Sequence, residues 1–135
     1  MNKKIRALQL IDSLHVGGAE VLAVNIANAL SNEGVESHLC VTRNEGPLKE
    51  NIKSSVGYLF LERKKTIDIT AIKKLKNYIK KNNISIIHAH STSYFLAICV
   101  NFIYPKLKII WHDHYGNSES LKNTSRLSTQ LVSFL

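Results

Sequence analysis

The sequence predicts an α/β domain on a doubly wound, mostly parallel sheet, and three observations carry that prediction. Short apolar runs alternate with helix-periodic segments along the chain. The first run, residues 5–11, is almost continuously apolar, as suits a strand covered on both faces. Polar clusters follow the first, fourth and fifth runs, where open parallel sheets bind their ligands. Right-handed crossovers then give strand order 3-2-1-4-5, with a switch point between the first and fourth strands.

Each element has its own local reason. After the first strand and a polar, glycine-bearing turn, a helix opens at Ala19 with Leu22, Ile26, Ala29 and Leu30 on one stripe, widened by Val21 and Val24. Gly34 stands where glycine often stops a helix. Residues 37–42 form a second strand around Leu39, Cys40 and Val41. Gly46-Pro47 marks a connector, followed by a weakly helical piece over 48–54 and a third strand over 56–61. Asp68 can cap the next helix, in which Ile72, Leu75 and Ile79 share a face and Lys73, Lys74, Lys76, Lys80 and Lys81 decorate the rest. Asn82-Asn83 closes it, and residues 84–89 form the fourth strand. Residues 94–104 are helical and apolar nearly all round, which predicts deep burial, and Pro105 stops them. Residues 108–111 form a fifth strand, ending in His112-Asp113-His114-Tyr115-Gly116.

Bulk composition narrows the partners. With 135 residues, 44% hydrophobic and 21% charged, the chain holds one core of ordinary size. The net charge of +8 points to anionic surroundings: nucleic acid, phosphorylated ligands or an anionic membrane face. Aromatic residues are 7% and do not interleave with the basic ones, which argues against a nucleic-acid stacking platform. The lysine-rich helix and the basic corner Arg63-Lys64-Lys65 would suit an anionic membrane, although a solvated helix face is the plainer reading of that run. Gln9 and Asp12 interrupt the N-terminal run too early for a signal peptide, and no stretch is long enough to span a bilayer. Cys40 and Cys99 lie in apolar segments without metal-like spacing and read as buried thiols in a reducing compartment. The cytoplasm, or the inner face of its membrane, is the expected location.

The predicted topology gathers three polar clusters at one edge: 12–18, 88–93 and 112–116, holding five of the six histidines. In the first, Gly17-Gly18 leaves no side chain in the way and allows backbone conformations that other residues avoid. Amides of the following helix would face a phosphate or carboxylate there. The turn lacks the full dinucleotide and P-loop glycine patterns, and tight packing alone could also require glycine. His88-Ala89-His90 and His112-Asp113-His114 each place two imidazoles on one side of a strand end. No carboxylate or thiolate at suitable spacing completes a ligand set, so a metal is not expected. His88 reads as a buried, hydrogen-bonded core residue, and His112 as a general base or phosphate donor at the strand terminus. A Ser-His-Asp hydrolase is disfavoured, because Ser91 lacks the nucleophile-elbow context.

The runs Ile11-Asp12-Ser13-Leu14-His15-Val16-Gly17-Gly18-Ala19-Glu20, Ile86-Ile87-His88-Ala89-His90-Ser91 and Ile109-Ile110-Trp111-His112-Asp113-His114-Tyr115-Gly116 resemble three signatures of family 4 glycosyltransferases, in the same order. The resemblance implies the Rossmann-like N-terminal half of a GT-B fold, which holds the acceptor while a C-terminal domain binds the nucleotide sugar. It implies that Gly17 and Gly18 approach the donor diphosphate and that His112 lies near the reacting sugar. His15, His90, Ser91, His114 and Tyr115 would line the acceptor side. No cofactor is implied beyond the nucleotide sugar as co-substrate, and the acceptor would be a glycan or lipid-linked sugar. On this reading residues 1–120 are the N-terminal domain and 121–135, with Leu127, Leu131, Phe134 and Leu135, begin a truncated helix. The nucleotide-sugar domain is absent, and the chain alone is expected to be inactive. Two alternatives stay open. One is a non-catalytic module, or a split-enzyme subunit working with a separate donor-domain chain. The other is a nucleotide-binding domain of different function, weakened because Thr42-Arg43-Asn44 stands where an acidic residue would close the second strand.

Overall fold

A computed structural model describes residues 3–113. The chain forms β1 (Arg6–Ser13), α1 (Gly18–Asn32), β2 (Glu36–Asn44), a 3₁₀ turn (Pro47–Asn51), β3 (Gly57–Phe60) and α2 (Ile69–Lys81). It continues with β4 (Ile86–His90), a 3₁₀ turn (Ser91–Ser93), α3 (Tyr94–Ile103) and β5 (Lys108–His112). The strands make one sheet in the order β3-β2-β1-β4-β5, every pair parallel. The doubly wound α/β prediction and its strand order both hold.

Alternation along β1 assigns the two layers. Leu8 and Leu10 pack with Leu75, Ile79, Leu96 and Val100 of α2 and α3. Ile11 joins Ala23, Val24 and Ala27 of α1, together with Leu39 and Val41 of β2. Burial on both faces explains why β1 reads as an apolar run and not as an alternating one. Gln9, 1% exposed, is the polar exception, and its side chain goes to a histidine described below.

Local signals explain the helix ends. Gly34 adopts φ +81 just beyond α1, a left-handed conformation that glycine takes without strain. Asp68 caps α2, accepting from the Ala71 amide at 3.1 Å and the Lys64 amide at 3.0 Å. Those two amides hold its carboxyl below the ordinary range.

Several expectations need correction. α3 is apolar nearly all round but buries only the face carrying Leu96, Ala97 and Val100. Phe102 is 87% exposed, and Phe95 and Ile103 are also exposed, because α3 packs on the sheet and α2 along one side. Cys40 is buried, which pushes its thiol pKa far up, whereas Cys99 is only half-buried. Arg63 does not belong to an exposed basic corner, being 5% exposed. Gly17 and Gly18 have no positive φ: Gly17 is extended (φ −165) and Gly18 begins α1. The glycine that geometry demands is Gly46, where a Cβ would lie 2.5 Å from the Leu14 carbonyl and 2.6 Å from the His15 amide nitrogen. That close approach lets the Leu48 amide donate to Leu14 O at 3.1 Å, fastening the β2–β3 connector beneath the turn before α1.

Candidate functional site

The carboxyl ends of β1, β4 and β5 meet, as the topology requires. Strands β1 and β2 run two residues further than the sequence indicated, which brings Asp12 and Arg43 onto strand ends. Asp12 accepts from Thr42 at the end of β2, from Thr92 just after β4, and from Arg63 Nη2 at 3.2 Å. One carboxylate thus ties together three segments of the edge. Arg63 Nη1 donates to the Thr66 carbonyl at 3.0 Å, so the guanidinium also shapes the loop after β3.

The glycine turn lies between Ser13 and α1. Leu14 is buried, while His15 and Val16 are exposed. His15 donates its amide to Ser13 Oγ at 3.0 Å. Nothing lies within 4 Å of the point where a Gly18 Cβ would stand, so that side of the turn is open. A Cβ on Gly17 would meet the Glu20 carboxylate, which therefore sits over the first turn of α1, the positive end of the helix dipole. An incoming anion would have to displace it.

The histidines of β4 and β5 form one cluster across the strands. Register pairs His90 with His112, and paired residues project from the same face of a sheet. His88, two residues before His90, shares that face. The ring centroids lie 4.3 Å (His88–His90), 5.5 Å (His88–His112) and 5.7 Å (His90–His112) apart. A potential ligand nitrogen from each falls within 4.8 Å of the others. The rings are close to parallel, however, at 33°, 11° and 24°. Imidazole lone pairs lie in the ring plane, so stacked rings aim them side by side instead of at one point.

The buried member of the first pair is His90, not His88. His90 is 0% exposed, and its Nε2 donates to Gln9 Oε1 at 2.7 Å. His88 is half-buried on the same strand. The expectation of a core histidine at His88 therefore passes to its neighbour, and His90 meets Gln9 instead of facing open solvent. His112 closes β5, half-buried. Ser91 adopts φ +53, a conformation that costs a non-glycine residue about 1 kcal/mol or more. Its carbonyl accepts from Trp111 Nε1 at 3.0 Å, and Trp111 packs on Tyr94 at 4.7 Å. These contacts hold the β4–α3 turn against β5. His114 and Tyr115 lie outside the described residues, as does the helix expected over 121–135.

Beside this edge, on the α3 side, is a cleft of 580 Å³ between Asp12, Arg43, Arg63, Thr66 and the start of α3. Sequence reasoning did not find it. Its residues are scattered over the chain, and those the sequence singles out, Asp12, Arg43, Arg63 and Thr92, belong there to separate features with nothing to join them.

No curated protein matches this chain. A family model does: that of Glycosyltransferase Family 4 matches residues 16–133. The match begins at the glycine turn and takes in both histidine clusters. With most of the sequence covered and an all-parallel sheet that carries the matched turns along one edge, the chain belongs to glycosyltransferase family 4.

Proposed function

We propose that this domain is the acceptor-binding half of a retaining glycosyltransferase that moves a sugar from a nucleotide-sugar donor to a glycan or lipid-linked acceptor. Cell-surface polysaccharide synthesis is the setting that would supply such acceptors. The observation that supports the reading best is the meeting of the β1, β4 and β5 ends in a family 4 domain. The open face at Gly18 leaves room for a diphosphate at the start of α1 once the Glu20 carboxylate swings aside. His112, at the end of β5, takes the role of proton-transfer group or phosphate donor beside the reacting sugar. His15 and Ser91 contribute to the acceptor side, with His90 positioned behind them through Gln9. His114 and Tyr115 follow β5 directly in sequence and are assigned to the same side. A separate domain would supply the nucleoside pocket, whether in the same polypeptide or in a partner chain.

The isolated chain should bind nucleotide sugars very weakly, because the amides of one turn do not replace a nucleoside site. Calorimetry with UDP- and GDP-sugars tests this, and micromolar binding would show that the division of labour between domains is wrong. Restoring transfer by adding a separately expressed donor domain would favour the split-enzyme form of the proposal. Acceptor binding without transfer in any such mixture would leave a non-catalytic module.

A second proposal concerns location. Among the described residues no helix is long and apolar enough to cross a membrane. Lys73, Lys74, Lys80 and Lys81 are exposed on α2, and Phe102 and Ile103 are exposed on the neighbouring α3. Basic and apolar groups side by side suit peripheral contact with the anionic inner face of a membrane, each lysine contributing about 1 kcal/mol. Co-sedimentation with anionic vesicles should be strong at low salt and fall at high salt. Equal pelleting with neutral vesicles, or none with either, would remove the proposal.

A further inference from the structure

The cleft beside Asp12 has features that the glycine turn and the histidines do not account for. Its charged groups are Arg43, Arg63 and Asp12. Asp12 and Arg63 form an ion pair, so their charges offset each other. Arg43, half-buried at the end of β2, has no hydrogen-bond or ion-pair partner among the described residues and leaves the cleft with a positive charge in excess. Arg63 is itself held rigidly: its side chain is 3% exposed, two of its nitrogens are fixed by Asp12 and Thr66, and its Nε is buried without a partner. Burying a guanidinium with a donor unsatisfied is costly, so its two remaining contacts have to hold it in place. The opposite wall comes from Thr92, Tyr94 and Phe95. Ser93, the N-cap of α3, makes no side-chain capping bond, because its hydroxyl donates to the carbonyls of Leu10 and His90.

We infer that this cleft is an anion subsite of the acceptor site, receiving a phosphomonoester carried by the acceptor while Tyr94 and Phe95 flank the body attached to it. The inference rests on the acceptor-binding reading above and adds the chemical class of what is bound. A phosphoryl group suits the cleft better than a carboxylate. Donors reach it from more than one direction, from the Arg43 guanidinium on one side and the Thr66 hydroxyl on another, which matches a tetrahedral group with several acceptor oxygens. The volume of 580 Å³ exceeds what a bare phosphate needs and leaves space for a ring against Phe95, which is exposed. Arg43 now has a purpose: a basic residue closing β2 is where this class of sheet accommodates a phosphate instead of a ribose hydroxyl pair.

The test uses the 135-residue chain with phenyl phosphate, inorganic phosphate and benzyl alcohol as probes, followed by amide and arginine side-chain NMR signals. Phenyl phosphate should bind saturably, with a dissociation constant of about 1 mM or tighter at low salt. It should shift the signals of Arg43, Thr66 and Thr92. Arg43→Gln should weaken it about tenfold, the loss of one charge-assisted contact. Phe95→Ala should weaken phenyl phosphate and leave inorganic phosphate unchanged. Equal binding of benzyl alcohol, or unchanged affinity in a folded Arg43→Gln variant, would overturn the inference. So would shifts confined to Gly17 and Gly18, which would move the anion to the donor turn and leave the functional proposal standing. Conversely, Arg43-dependent binding in a chain that shows no transfer with any donor domain would keep the subsite and remove the transferase reading. Vesicles of phosphatidylcholine with and without phosphatidic acid separate the sources of the phosphate. Pelleting that needs both phosphatidic acid and Arg43 marks a lipid-borne acceptor, and phenyl phosphate binding without such pelleting marks a soluble one.

Discussion

Replacing His112 by alanine in an assembled enzyme should lower turnover by about 10²–10⁴-fold with little loss of stability, if His112 acts in proton transfer. The structure makes the contrast with its neighbour sharp. His112 is half-buried at the last position of β5, stacked at its ring face on His88 and His90 but not enclosed. His90 is directly opposite in register but wholly enclosed and bonded to Gln9. His90→Ala should therefore destabilise by about 1–3 kcal/mol, through the cavity and the unpaired Gln9 carbonyl. Steady-state kinetics and urea midpoints of both variants separate the roles. Near-normal turnover in His112→Ala together with a much lower midpoint would reverse them. Gly18→Val extends the same experiment to the donor side. Its side chain would enter open space, so a raised donor KM with an unchanged fold is the expected result.

The largest effect on stability is expected at Asp12. Asp12→Ala removes the ion-pair partner of Arg63 while that guanidinium stays buried, and it releases Thr42 and Thr92 at the same time. Breaking one side of a buried pair costs more than the pair contributes, because an uncompensated charge remains. Asp12 is 22% exposed at its side chain, so solvent screens part of that cost and the lower end of the usual range applies, about 3 kcal/mol. The urea midpoint should fall by about 1–2 M for a domain of this size. Pairing Asp12→Ala with Arg63→Met should recover part of the loss, since the stranded charge goes with it. A midpoint that hardly moves in Asp12→Ala, or a double variant worse than the sum of its parts, would show that Asp12 is no keystone of this edge.

How much of this was legible in the sequence varies by residue. The histidine pairs were visible because residues two apart on a strand share a face, yet the stack of three was not. It depends on β4 and β5 pairing His90 with His112, and register is a property of two strands together. The choice between His88 and His90 as the core histidine went the wrong way for a related reason. Nothing local separates the two histidines, and the deciding fact is that Gln9 of β1 reaches His90. A polar residue inside the apolar run 5–11 was the available signal, and it was read only as evidence against a signal peptide.

The sequence alone determined the strand order and the edge at which the polar clusters gather. Those follow from local periodicity and from chirality rules that every parallel α/β sheet obeys. The Asp68 cap and the Gly34 stop were equally local, each satisfied by backbone groups within a few residues. Tertiary structure alone decided that Arg63 turns inward to Asp12, 51 positions away, and does not stand with Lys64 and Lys65 on the surface. It decided that Gly46 and not Gly17-Gly18 is the position where backbone contact excludes a side chain. It also decided that Arg43, Arg63, Thr66 and Thr92 share one cleft. In each case the controlling interaction joins residues distant in sequence, and a one-dimensional pattern carries no information about which distant partner a charged or small residue will meet.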